Sequence, residues 1–167
     1  MSCVATTVHP LEQLLRERIV IIDGAMGTVI QRYKLGEAQF RGELFRDWTG
    51  KPLKGNNELL QLTQPHVIEE IHRHYLEAGA DLIETNTFGA TNVAMADFGL
   101  ERQVREINLA ACKLAREAAD EWNRRTPDKP RFVAGAVGPT PKTASISPDV
   151  NDAGARNVTF EELRLAY

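Results

Sequence analysis

Cysteine is scarce in this sequence: Cys3 and Cys112 are the only two among 167 residues. No disulfide framework and no CxxC metal knuckle can be drawn from them. Charge of one sign is equally thin, because 20 Lys and Arg stand against 23 Asp and Glu for a net −3, and neither sign gathers into a block. Nucleic acid is therefore not an expected partner. Aromatic residues make up 7%, too few for a stacking platform on single strands. No apolar run approaches the roughly 18 residues that a membrane span needs. Residues 1–18 also lack the basic start, apolar centre and small-residue cleavage site of a secretory signal, so the cytoplasm is the expected compartment.

The few candidate metal ligands do not assemble on paper. Cys112 falls in a helical stretch and is expected as a small buried hydrophobe. His72 and His74 sit two apart in a helical pattern and so point to different sides; the triplet reads as a solvated helix face. No metal site is expected from this chain alone.

What is present is a repeating pattern of strand and helix. Ile19-Val20-Ile21-Ile22 is a continuous β-branched run closed by Asp23-Gly24, which predicts a fully buried strand. About 30 residues of turn-marked sequence follow, from Gln31 to Gln61, far beyond the usual 2 to 6 of a βα connection. Thr63-Gln64-Pro65 predicts a helix start, carried by Val67, Ile68, Ile71, Tyr75 and Leu76 and stopped by Gly79. A second strand is predicted in residues 81–88, a helix from about Glu101 to Trp122, and a third strand from Phe132 to Val137. Near the end, Thr159-Phe160-Glu161-Glu162 reads as a capping box on a helix that is cut after two turns.

Strands separated by amphipathic helices predict βαβ units and a parallel α/β sheet. Its three carboxyl ends carry the polar residues and glycines, which is where parallel folds place ligands. A closed eight-stranded barrel takes about 250 residues, so this chain can supply only the first part of one. The candidate site residues are Asp23 and Gly24 from the first strand end, Glu84, Asn86, Thr87 and Phe88 from the second, and Thr140 from Gly138-Pro139-Thr140 after the third. Their acceptors, donors and rim aromatic suit an amino acid held by its amine and carboxylate. Each has a structural alternative: Asp23 can cap the turn, Thr85 and Thr87 can face neighbouring strands, and Asn86 can make a turn. No nucleophile with its base is visible, so no catalytic residue is assigned.

Together, Asp-Gly-Ala-Met-Gly-Thr at 23–28, Glu-Thr-Asn-Thr-Phe at 84–88 and Gly-Pro-Thr at 138–140 resemble the homocysteine S-methyltransferase family. Phe40-Arg41-Gly42, Leu53-Lys54-Gly55-Asn56-Asn57, Met95-Ala96-Asp97 and the stretch from Ser145 to Phe160 look like the amino-terminal region of the cobalamin-dependent methionine synthases. The resemblance implies that residues 19–167 are the first part of a (β/α)8 TIM barrel behind an amino-terminal helical extension at 1–18. It further implies homocysteine as substrate, held as a thiolate by zinc whose ligands lie beyond this chain. Methylcobalamin would be the methyl donor, regenerated from 5-methyltetrahydrofolate, with cobalamin and folate modules of the longer enzyme as partners. The isolated chain would then be inactive. A cobalamin-independent enzyme using betaine or S-methylmethionine, and a non-catalytic half-barrel binding module, are the alternatives. Ala25 departs from the Gly-Gly-Met-Gly of the family, which matters if that position needs a positive φ.

Overall fold

A computed structural model describes residues 8–167; Cys3 lies outside the described residues. The first helix, α1 (Pro10–Glu17), starts with proline at its first position, and the His9 ring nitrogen accepts from the Leu11 N–H. The chain then runs extended to Ile22, which makes a single parallel bridge to Leu82. Beyond it lie α2 (Met26–Arg32), α3 (Glu37–Arg41), a 3-10 turn at Asn57–Leu59 leading into α4 (Leu60–Thr63), and α5 (Pro65–Glu77). Strand β1 (Leu82–Glu84) pairs in parallel with β2 (Phe132–Ala134), and α6 (Asn92–Met95) and α7 (Val104–Arg125) lie between them. The last helix, α8 (Phe160–Ala166), begins with the expected capping box, Thr159 and Glu162 each satisfying the other's backbone N–H.

The small parallel sheet therefore follows chain order, with the Ile22 segment, β1 and β2 side by side. Both crossovers are helical. This is the arrangement of a partial barrel-like α/β fold.

Two apolar clusters hold the layers together. The sheet packs through Ile83 and Val133 onto Leu76 and onto Ala115, Ala118 and Ala119 of α7. Small side chains at that spacing place a nearly flat helix stripe against the strands. The long connection builds the second cluster: Ile30, Phe40, Leu53, Leu59 and Leu60 close over Val67, Ile68 and Ile71 of α5 and Ile107 of α7. It is thus a folded layer, not a tether. Asp81, at the amino end of β1, ties the preceding extended segment to the sheet. It takes two bonds from the Arg18 guanidinium, at 2.7 and 2.8 Å, and one from the Ile21 N–H at 3.0 Å. The Arg18 hydrogen bonds hold its carboxyl down at about 2.

Three expectations from sequence need correction. The Ile19–Ile22 run is not a buried strand: it forms one bridge, and Ile19, Ile21 and Ile22 are exposed. β-Branched residues lose water only where a layer covers them, and too little chain packs on this one. Cys112 is exposed, not buried. The buried stripe of α7 runs through Ile107, Ala111, Ala115 and Ala118, and a residue directly after Ala111 turns about 100° away from it. His72 is not on a solvated face. It is fully buried, four residues after Ile68 and four before Leu76, both buried as well, while His74 on the other side is exposed. Neither ring nitrogen of His72 has a hydrogen-bond partner among the described residues, and burial lowers its pKa to about 4.

Candidate functional site

The three carboxyl ends of the sheet open onto one cavity of about 310 Å³, lined by Asp23, Gly24, Gly27, Asn57, Glu58, Glu84, Asn86 and Phe88 among others. That volume is at the lower end for a small-molecule site. Asp23 arrives there because its own N–H donates to the Leu82 carbonyl at 2.9 Å, extending the bridge by one bond. Its Oδ1 accepts the Glu84 N–H at 3.0 Å. Burial raises its pKa to about 6; the hydrogen bond from the Glu84 backbone opposes that rise, and the Glu84 carboxylate adds to it. A carboxylate so placed gains from a cation brought into the cavity.

The turn after Asp23 explains the Gly-Ala-Met-Gly segment. Ala25 takes φ +43° and ψ +36°, a left-handed conformation, directly before α2. An L-residue with a Cβ pays on the order of 1 kcal/mol there. A glycine at 25 would relieve that cost, so the sequence departure falls on a position where φ is indeed positive.

Asn86 is 6% exposed, and its contacts come from the long connection. Its Nδ2 donates to the Asn57 carbonyl at 2.8 Å and to Gln61 Oε1 at 2.7 Å. Gln61 Nε2 donates in return to the Asn86 carbonyl at 2.7 Å. Glu58 Oε1 accepts the Gly89 N–H at 2.8 Å. Asn57, Glu58 and Gln61 were not among the sequence candidates. The signal available was chemical: amides at 56, 57 and 61 interrupt a leucine-rich stretch, and amides buried among leucines require partners.

Phe88 stands at the rim, 60% exposed. It is held there by Gly138, whose N–H donates to the Phe88 carbonyl at 3.1 Å. A Cβ on Gly138 would lie 2.3 Å from that carbonyl oxygen and 2.6 Å from the ring, so only glycine fits.

Two candidates stand apart from this cavity. Thr87 does not line it. The Ala136 N–H donates to Thr85 Oγ1 at 3.0 Å, and Thr87 Oγ1 donates to the Ala136 carbonyl at 2.8 Å. The 2.7 Å contact between the two hydroxyls must then run from Thr85 to Thr87. This closed ring ties the end of β1 to the end of β2. Thr140 lines a separate cavity of about 300 Å³ beyond Glu58, with Met95, Phe98 and Pro139, and its hydroxyl accepts the Lys142 N–H at 3.2 Å. Among the described residues no three His, Cys, Asp or Glu come together as a metal cluster, and no helix is long and apolar enough to cross a membrane.

Comparison with known proteins bears on the family of this chain. Residues 20–167 match the model of the homocysteine S-methyltransferase family. Among solved structures, the metallated form of the homocysteine methyltransferase MmuM from Escherichia coli is 27% identical, with a TM-score of 0.61 over 78% of this chain and 42% of that one. The oxidized form of MmuM is 28% identical, with a TM-score of 0.59 over 79% of this chain and 41% of that one. The chain thus spans less than half the length of the structures it matches. With nearly all of its described residues inside the family match, this chain belongs to the homocysteine S-methyltransferase family.

Proposed function

We propose that this chain is the homocysteine-holding part of a methyl-transferring enzyme, with residues 19–167 forming the first part of a (β/α)8 barrel behind the helical extension at 1–18. The observation that supports it most is the convergence of Asp23, Gly24, Glu84, Asn86 and Phe88 on a single cavity at the strand ends. The Asp23 carboxylate, raised in pKa by burial, meets the substrate ammonium, and Phe88 covers the apolar stem. In the overall reaction, the homocysteine sulfur forms a bond to a methyl carbon as the donor's bond to that carbon breaks, giving methionine. The described residues bind and orient the amino acid. They do not fit a zinc ion, because no cluster of three ligating side chains exists among them. In this reading Thr87 supports the site by joining β1 to β2 and Thr140 shapes the neighbouring loop.

The donor in this proposal is methylcobalamin, presented by a separate module and regenerated from 5-methyltetrahydrofolate. The segments from Phe40 to Asn57 and from Ser145 to Phe160 support that choice. A coding sequence that continues past Tyr167 without folate and cobalamin modules would favour betaine or S-methylmethionine instead. The binding claim is tested by calorimetric titration of the chain with L-homocysteine. Saturable binding that weakens about tenfold in Asp23→Ala is expected; absence of binding by the folded wild type would overturn it.

A further inference from the structure

The amide group of Asn86 has its orientation fixed by two backbone carbonyls. Asn57 O can only accept, so the Asn86 atom 2.8 Å from it must be Nδ2. Asn86 O can only accept, so the Gln61 atom 2.7 Å from it must be Nε2, which leaves Gln61 Oε1 to receive the second Nδ2 proton at 2.7 Å. Both protons of the Asn86 amide are then consumed. Turning the amide over would set its oxygen against Asn57 O and Gln61 Oε1 together, two repulsive contacts in a site where Gln61 is 3% and Asn86 6% exposed.

Asn86 Oδ1 meets no donor among the described residues, and Asn86 lines the cavity. The charged groups around it are the carboxylates of Asp23, Glu58 and Glu84. The groups of this wall with fixed orientation or charge, Asn86 Oδ1 and the three carboxylates, accept or carry negative charge, while the Asn57 amide beside Gly27 also lines the cavity.

We infer that Gln61 is a positioning residue: by holding the Asn86 amide in one orientation it makes that side chain an acceptor only, so this wall reads a ligand's ammonium group and rejects its carboxylate. The inference rests on the proposed function for the identity of the ligand, but the locking itself does not. A wall that could turn its amide would serve either end of an amino acid. This one serves one end, and so sets the direction in which the substrate enters.

Three probes separate the possibilities by calorimetry on the full chain: L-homocysteine, 3-sulfanylpropan-1-amine, which lacks the carboxylate, and 4-sulfanylbutanoic acid, which lacks the amine. Wild type is expected to bind the amine-bearing probes at least about tenfold more tightly than the deaminated one. In Gln61→Leu one of the two contacts that oppose turning is removed and only the Asn57 carbonyl still orients the amide, so that preference is expected to fall by up to about tenfold. Gln61→Glu keeps the acceptor for Nδ2, loses the donor to Asn86 O, and is expected to show a smaller loss of the same preference. A merely structural role for Gln61 would weaken all probes together and leave their ratio unchanged in both variants, which would overturn the inference. Proton exchange at the Asn86 side-chain amide, followed by NMR in the ligand-free chain, decides the locking independently. Slow exchange that becomes fast in Gln61→Leu supports it, and fast exchange in wild type overturns it. A wild type that binds no probe while keeping a slowly exchanging Asn86 amide overturns the proposed function and leaves Gln61 as the lock of that side chain.

Discussion

Two titrating groups, one buried and one half-buried, pull the stability of this protein in opposite directions across the same pH range. His72 is fully enclosed with no hydrogen-bond partner among the described residues, and burial lowers its pKa from 6.5 to about 4. Below pH 6.5 the unfolded chain takes up a proton that the folded one refuses, so stability falls as the medium acidifies. From pH 7 to 5 that loss is about 2 kcal/mol, at about 1.4 kcal/mol for each pH unit between the two values. Asp23 behaves in the reverse sense. Its folded value is raised from 3.8 to about 6, so its contribution is fully present below 3.8 and is lost as pH rises through 6. Over the same interval acidification returns about 1 kcal/mol from Asp23, after discounting for its remaining contact with solvent. The wild type is thus expected to lose only about 1 kcal/mol from pH 7 to 5. Asp23→Asn should lose about 2 kcal/mol, and His72→Leu should gain about 1 kcal/mol over the same range. Urea unfolding followed by the fluorescence of Trp48 and Trp122 reads these slopes. A His72→Leu variant that still loses stability in parallel with wild type would refute the reasoning, because no other group could then be credited to that ring.

Other changes address the frame and the rim. Asp81→Ala removes the acceptor of Arg18 and the Ile21 N–H and should lower stability by about 3 kcal/mol; a cost below about 1 kcal/mol in urea unfolding would show that the clamp is idle. Gly138→Ala puts a methyl group against the Phe88 carbonyl and should cost about 2 kcal/mol and weaken homocysteine binding; unchanged binding by calorimetry would separate the rim from the site. Ala25→Gly, at φ +43°, should raise the thermal midpoint by an amount worth up to about 1 kcal/mol; a lowered midpoint would contradict the strain assigned to that turn.

The elements that could be read from the sequence were those whose signal is local. Pro65 starts α5, Gly79 with its φ of +104° stops it, and Thr159 with Glu162 caps α8. Helix α7 likewise follows its own periodicity, after a short 3-10 entry at Glu101–Gln103. What was not legible depends on which layer covers which face. The isoleucines at 19, 21 and 22 have every local property of an interior strand and yet lie open. His72 looks polar in sequence, but its angular position between Ile68 and Leu76 decides its burial. In the site, Asp23, Gly24, Glu84, Asn86 and Phe88 were visible because they sit at strand ends. Asn57, Glu58 and Gln61 come from a long connection whose fold has no period, so nothing local aims them at the cavity. Thr87 was drawn towards the site by its neighbours, whereas the hydroxyl ring with Thr85 and Ala136 turns it elsewhere.

The two aspartates at opposite ends of the first parallel pairing differ greatly in how easily they take up a proton. Asp81 surrenders its charge only at about 2, whereas Asp23 does so at about 6. Mild acid therefore neutralises the mouth of the empty cup while its base keeps its charge, so the two ends of one pairing answer to different pH ranges.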